Sequence, residues 1–321
     1  MRIAFLWKWW SWKSTTSTSF AQYLHSINKK TLFIDADINI NWLDILGYDL
    51  DNFAYLSDNQ SKISDYVYGQ RNDIPKENFL WVTPPCELSK FIKFDDDFFQ
   101  TLIQRGKNNL PAMWIWWYNQ DDVGFNCYHG KSDWFITFLN HFLDRDDEYI
   151  VIDSVTWIDN SSTPLAYSYN LNVIVVEPTK KSLWVYFDFI KALEKNNIHT
   201  QVCVIWNKIE SIDDENFIRD SIWNTPYIWS ISFSQYMMKY DQWDNNAFNN
   251  FVEENSELFE KILLHAHNQK FDYNKYYSYM FNYFSLVCDS FYNTYFEKKL
   301  QSNIKNNIDF NSIRNNELSK Y

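Results

Sequence analysis

Between Arg2 and Asp37 the chain changes its apolar pattern twice, and that leaves few folds open. Arg2 to Leu6 (RIAFL) is a short apolar run of the kind shown by a strand buried on both faces. After a turn, Ser14 to Ile27 sets Phe20, Ala21, Leu24 and Ile27 at helical spacing, and Thr31 to Ile34 returns to a strand closed by Asp35-Ala-Asp37. Strand, turn, helix and strand in that order open a βαβ unit, whose two strands run parallel. The order resumes downstream. Glu148 to Asp153 reads as a strand closed by an acid, and Asn172 to Glu177 as a strand followed by a helix over Lys181 to Lys195. Gln201 to Ile205 and Tyr227 to Ile231 supply two more strands. The expected fold class is α/β, a mostly parallel sheet with helices on both faces. In the mixed stretch 50–110 a strand is expected at Phe79 to Val82 and a helix at Asp96 to Arg105.

Beyond about residue 240 the pattern becomes helical throughout. Leu258, Phe259, Ile262, Leu263 and Ala266 share one helical face, and Tyr273, Tyr277, Met280, Phe281, Phe284, Val287, Cys288 and Phe291 share another. The domain reading is therefore 1–240 for the α/β part and 241–321 for an aromatic helical extension, with the last 20 or so polar residues frayed. The aromatic faces are expected to pack on the sheet domain or to form a partner-binding or dimerisation surface.

Charge and cysteine usage narrow the setting. The net charge of −12 argues against nucleic acid as the main partner. No apolar run approaches the roughly 18 residues of a membrane span, and no leader-like segment opens the chain, so stable membrane insertion is not expected. Cys86, Cys127, Cys203 and Cys288 form no CxxC pair or disulfide framework, which points to a reducing, cytoplasmic location. Cys203 lies inside an apolar strand and reads as core. Asp95, Asp96 and Asp97 read as a helix N-cap region, and His265 and His267 as residues at a solvent edge.

One count does not fit a globular chain. There are 16 Trp and only 5 Gly, where about 7% Gly is usual. Together the two residue types come close to the glycine expected alone, and the placement of the Trp residues is telling. The first strand runs into Trp7-Lys8-Trp9-Trp10-Ser11-Trp12-Lys13-Ser14-Thr15-Thr16. With glycine at each Trp this becomes GKGGSGKSTT, which satisfies the phosphate-loop pattern GxxxxGK[ST] and carries a second lysine after the first glycine. Such a loop needs glycine for its backbone angles and for close approach of its N–H groups to phosphate.

Read that way, the segment resembles the deviant Walker A motif of the MinD/ParA-type P-loop ATPases, with Lys8 as the extra lysine. Asp35-Ala-Asp37 is similar to that family's switch I DxD, and Asp153 to its Walker B acid, with Trp157 where a DxxxG pattern has Gly. Trp206-Asn207-Lys208 resembles a G-N-K segment whose Asn reads adenine, and Pro226-Tyr-Ile-Trp229 the P-x-x-G loop over the base. The similarity covers roughly residues 1–235. Within the family the strongest likeness is to the maturation factors of carbon monoxide dehydrogenase, through Trp114 to Trp117, Asn126 to Gly130 and Val175 to Thr179. That group carries Cys-x-Cys at its dimer interface, where this chain has Cys127-x-His129 as a candidate soft-metal pair.

The resemblance implies an ATP-binding, Mg²⁺-dependent hydrolase that works as a nucleotide-gated homodimer, serving metallocentre maturation or protein positioning through an unidentified client. Lys8 and Lys13 would reach phosphates, Ser14 would ligate Mg²⁺, Asp37 would position water or metal, and Asp153 would hold Mg²⁺ through water. Trp7, Trp9, Trp10, Ser11, Trp12, Ser14 and Thr15 would line the phosphates, and Asn207, Lys208 and Pro226 the base. At least Trp7, Trp9, Trp10, Trp12, Trp157, Trp206 and Trp229 stand where the motifs call for Gly. A UGA codon that means glycine in some bacterial codes and tryptophan in another explains that concentration. With real Trp at these positions the chain is impaired, and the alternative is a scaffold of the same fold that binds no nucleotide. A role on membrane or DNA is disfavoured, because the tail from Phe310 carries little positive charge.

Overall fold

The computed structural model describes residues 1–6, 12–37, 48–49, 55–106, 108–115, 128–154, 164–195, 200–222, 227–241, 244–269, 271–287, 290 and 308–320. The strands are β1 (Arg2–Leu6), β2 (Lys30–Asp35), β3 (Ile92–Lys93), β4 (Gln104–Arg105), β5 (Pro111–Trp114), β6 (Phe142–Leu143), β7 (Glu148–Asp153), β8 (Leu171–Val176), β9 (Val202–Ile209) and β10 (Tyr227–Ser232). The helices are α1 (Lys13–Ser26), α2 (Gln60–Tyr68), α3 (Asp97–Gln100), α4 (Tyr128–His141), α5 (Lys180–Lys195), α6 (Ile212–Ser221), α7 (Gln235–Asp241), α8 (Asn245–Glu254), α9 (Ser256–His267), α10 (Tyr273–Val287) and α11 (Phe310–Leu318). They fall into two compact units. The first comprises Met1–Phe53, Gln104–Met113 and Asp146–Lys270, the second Ala54–Ile103, Trp114–Arg145 and Phe271–Tyr321.

The first unit is built on a sheet of order β10-β9-β8-β1-β7-β2-β5-β4. Among the described pairs β1–β7, β1–β8, β2–β7, β8–β9 and β9–β10 are parallel, and β4–β5 is antiparallel. The mostly parallel α/β expectation holds. β1, β7 and β8 are buried along their whole length, which is why they read as apolar runs without alternation. The β1–α1–β2 crossover passes over β7, and α1 packs there through Phe5, Phe20, Tyr23 and Phe259, with ring centroids 5.5–5.8 Å apart. Each such fully buried ring contributes about 1.5–3 kcal/mol. β8, β9 and β10 run on from β1 in the direction opposite to β7 and β2, so the right-handed rule for crossovers puts α5 and α6 on the face opposite α1. Ser211 caps α6 in a reciprocal box with Asp214, satisfying two N–H groups that a helix start leaves open.

The second unit holds a small parallel β3–β6 pair with α2, α3, α4, α10 and α11. Three expectations need correction here. Phe79 to Val82 is a turn: Val82 has φ 63, its N–H donates to Thr137 Oγ1 at 2.9 Å, and two prolines follow at 84 and 85. The helix expected over Asp96 to Arg105 stops at Gln100. Thr101 and Leu102 close it with tight bonds to Phe98 and Phe99, and Gln104–Arg105 pairs with β5 instead. The tail is not frayed throughout. Asp309 caps α11 by accepting from Ser312 N–H, and Phe310 stacks on Tyr277 at 4.0 Å. Asp96 stands at the N-cap of α3 and accepts Lys93 N–H at 2.8 Å and Tyr66 OH at 3.2 Å, in line with the cap reading. Cys203 is fully buried, and burial pushes its thiol up.

Candidate functional site

The parallel register brings two acids to one edge. Phe5 and Asp35 both pair with Asp153, so Asp35 and Asp153 close adjacent strands at their C-terminal ends, where open α/β sheets hold ligands. α1 starts close by, directing its N-terminal N–H groups toward the same edge. From its first residue, Lys13 Nζ reaches Asp37 Oδ2 at 2.7 Å and Asp153 Oδ1 at 3.0 Å, and also donates to the Ser154 carbonyl. Ser14 hydrogen-bonds Asp153 from the same helical turn.

This is a buried ion cluster. Burial disfavours the Lys13 ammonium, but Asp153 and Asp37 outweigh it and raise its pKa. Burial raises the Asp35 carboxyl well above the carboxylate range, with further push from Asp153 and Asp37. Asp153 is raised by burial and by Asp37, against the pull of Lys13. Removing Lys13 would leave these carboxyl groups facing one another in a dry site, the costly way to break a buried pair. Thr15 Oγ1, also buried in the first turn of α1, has no hydrogen-bond partner among the described residues.

The N-cap of α1 is Trp12, at φ 55 and ψ 25 and without a side-chain cap bond. That is the left-handed region, which costs a non-glycine residue roughly 1–2 kcal/mol. The indole lies 5.5 Å from the Phe233 ring, and Lys208 Nζ sits 5.2 Å from its centroid. Lys208 also pairs with Glu177 at 2.6 Å, and the buried Asn207 accepts the Lys208 N–H through Oδ1 at 2.9 Å. Trp229 lies in β10 where the register with β9 shifts; it is 40% exposed, with Lys261 Nζ 3.0 Å from its ring centroid. Trp206 is buried in β9.

Of the residues singled out by sequence, the structure brings together Lys13, Ser14, Asp37 and Asp153, and separately Trp12, Asn207 and Lys208. Trp7, Lys8, Trp9, Trp10, Ser11, Cys127, Trp157 and Pro226 lie outside the described residues, and so does the side chain of His129, which falls in the first turn of α4. Sequence reasoning gave no site role to Asp35, Glu177 or Phe233. For Asp35 the signal was present, as the first acid of DxD. Glu177 lay within the Val175 to Thr179 likeness but had no role assigned, and Phe233 follows β10 without any motif. Among the described residues no group of three or more His, Cys, Asp or Glu side chains is arranged to hold a metal by itself. A Mg²⁺ ion needs no such cage, since it takes one or two protein oxygens together with substrate phosphates and water. The Ser14 hydroxyl beside Asp153 fits that demand. No described helix is long and apolar enough to cross a membrane.

No family model and no curated protein matches this sequence. Solved structures do. A ParA family ATPase from Chlorobium tepidum TLS superposes with a TM-score of 0.57 at 16% identity, over 83% of this chain and 96% of that one. A chain of the MinC:MinD cell division protein complex of Aquifex aeolicus gives 0.53 at 17%, over 84% and 97%. A putative plasmid partition protein from Borrelia burgdorferi B31, bound to AMPPNP, gives 0.52 at 17%, over 82% and 98%. At these identities the likeness establishes the fold alone: a mostly parallel α/β sheet like that of the ParA and MinD structures, with additional C-terminal helices.

Proposed function

We propose that this chain is a Mg²⁺-dependent ATPase of the deviant Walker A type, and that its motif tryptophans stand for glycines encoded by UGA. The observation that carries the reading is Lys13, held at the start of α1 between Asp37 and Asp153 on the strand edge where this fold takes nucleotide. The Borrelia neighbour's bound AMPPNP and the orphaned Thr15 hydroxyl support it. So does the left-handed Trp12, a backbone state that glycine adopts freely.

In this reading Lys13 leaves its carboxylates to pair with the β- and γ-phosphates, and the α1 N-terminus completes the anion site. Ser14 and Asp153 would hold Mg²⁺, which would supply charge neutralisation at the phosphates. Asp37, freed from Lys13, orients the attacking water. Asn207 and Lys208 face the base, with Pro226 closing over it, and Lys8 reaches a partner's phosphates across a nucleotide-gated homodimer. Whether the dimer then serves metallocentre maturation, with Cys127 and His129 as soft-metal ligands, or protein positioning depends on the client.

A second reading rests on one observation. The Trp12 ring packed by Phe233 and Lys208 fills the flank where the base would lie, so a chain with a genuine Trp12 is a scaffold that binds no nucleotide. Peptide mass spectrometry of the native protein over residues 9–13 decides between them: Gly-Gly-Ser-Gly-Lys supports the ATPase, Trp-Trp-Ser-Trp-Lys the scaffold. Calorimetric titration with Mg-ATP then tests the site in the chain carrying glycine at 7, 9, 10 and 12. Micromolar binding that Lys13→Ala abolishes is expected, and no binding by the glycine chain sinks the proposal.

A further inference from the structure

Asp35 closes β2 and is 4% exposed. Its Oδ1 accepts the backbone N–H of Asp37 at 3.0 Å, while the N–H of Ala36 donates to the Asp153 carbonyl at 2.9 Å. Both peptide N–H groups between the strand end and Asp37 are thus fixed, one by the neighbouring strand and one by a side chain. The backbone direction set there determines where the Asp37 side chain points, and Asp37 Oδ2 lies 2.7 Å from Lys13 Nζ.

We propose that Asp35 is a positioning residue, whose side-chain oxygen holds the turn that aims Asp37 at Lys13. Its functional meaning rests on the nucleotide reading above; the hydrogen bond does not. Asparagine offers the same oxygen to the Asp37 N–H. Leucine has nearly the same shape and no acceptor, which leaves a buried N–H unpaired.

Amine acylation read peptide by peptide by mass spectrometry tests this without nucleotide. Lys13, shielded between its acids, is expected to label slowly, and the exposed Lys239, expected to label fast, serves as reference. Loss of one hydrogen bond to the buried turn is expected to speed Lys13 labelling about five-fold in Asp35→Leu, with Asp35→Asn within about two-fold of the parent chain and Lys239 unchanged in both. Asp35→Ala repeats the comparison if the leucine variant loses its circular dichroism signal. Parental labelling in Asp35→Leu and Asp35→Ala, or labelling in Asp35→Asn as fast as in Asp35→Leu, overturns the proposal. ATP turnover in the glycine-loop chain separates the two ideas. A fall in kcat with KM unchanged in Asp35→Leu, rescued in Asp35→Asn, supports both. Altered labelling in a chain that hydrolyses no ATP at all keeps the positioning role and removes the ATPase.

Discussion

Tryptophan positions in this chain differ in what their backbone and surroundings ask of them. Trp12 occupies a left-handed N-cap, at a cost of roughly 1–2 kcal/mol that glycine does not bear. Its ring contact with Phe233 returns about 0.5–1.5 kcal/mol. Trp12→Gly is therefore expected to leave stability within about 1 kcal/mol of the parent in urea unfolding. Trp114 is different: it is 1% exposed and stacks on Tyr55 at 5.8 Å. Trp114→Gly is expected to cost about 3–5 kcal/mol in the same measurement, as large truncations in packed cores do. Equal costs at the two positions would show that Trp12 is a selected residue. The surviving Gly69 makes the converse point. It ends α2 at φ 60, and a Cβ there would sit 2.7 Å from Lys90 N and 2.8 Å from Leu88 O. Gly69→Ala is expected to lower the unfolding midpoint, because both close atoms are backbone and cannot step aside.

At the scale of elements, α4 carries a built-in pH dependence. His141 ends the helix fully buried, its Nδ1 bonded to the Thr137 carbonyl at 2.9 Å, near Phe79 and Phe91. Burial pushes its pKa down from 6.5 to about 3, with the Arg71 guanidinium adding a smaller push in the same direction. The unfolded chain binds this proton more readily than the folded one. The stability contribution is therefore complete above about pH 6.5 and is lost as pH falls toward 3, at about 1.4 kcal/mol per pH unit. Chemical unfolding between pH 6.5 and 4.5 should show a slope of about one proton that His141→Phe removes; an unchanged slope places the titration elsewhere. The elements themselves were legible wherever burial is two-sided. β1, β7 and β8 announce themselves as apolar runs, and α1 as a spaced face behind a phosphate-loop pattern once Trp is read as Gly. The Phe79–Val82 turn was not legible, because its apolar residues face a core while its amides are paired by Thr83 and Thr137 side chains. Propensity carries no record of such distant partners. The site was legible as a motif list, but the pairing of Lys13 with both acids depends on the β1–β7–β2 register, which no local pattern contains.

On the scale of the whole molecule, the second unit depends on chain far from its start. Tyr273, Tyr276, Tyr277, Met280, Phe281 and Phe284 of α10 and Phe310 of α11 are buried. Tyr276 OH donates to Asn140 Oδ1, Tyr277 OH to the Asn140 carbonyl at 2.7 Å, and Arg314 to the Asp144 carbonyl at 2.7 Å. Lys93 pairs with Glu317 at 3.1 Å. At about 1.5–3 kcal/mol for each large buried side chain, this segment supplies as much as the 5–15 kcal/mol by which a domain is usually stable. A chain ending at Lys270 retains every strand of the first unit and loses that contribution from the second. Limited trypsin digestion followed by mass spectrometry should then cut first within residues 54–103 and 114–145, at sites protected in the full chain, while β1, β7, β8 and β9 resist. Phe310→Ala tests the same dependence more gently, with an expected loss of about 3–5 kcal/mol and earlier cleavage in the same two segments. Persistence of their protection in both proteins would mean that α2, α3 and α4 form a self-sufficient core and that the aromatic helices only cover it.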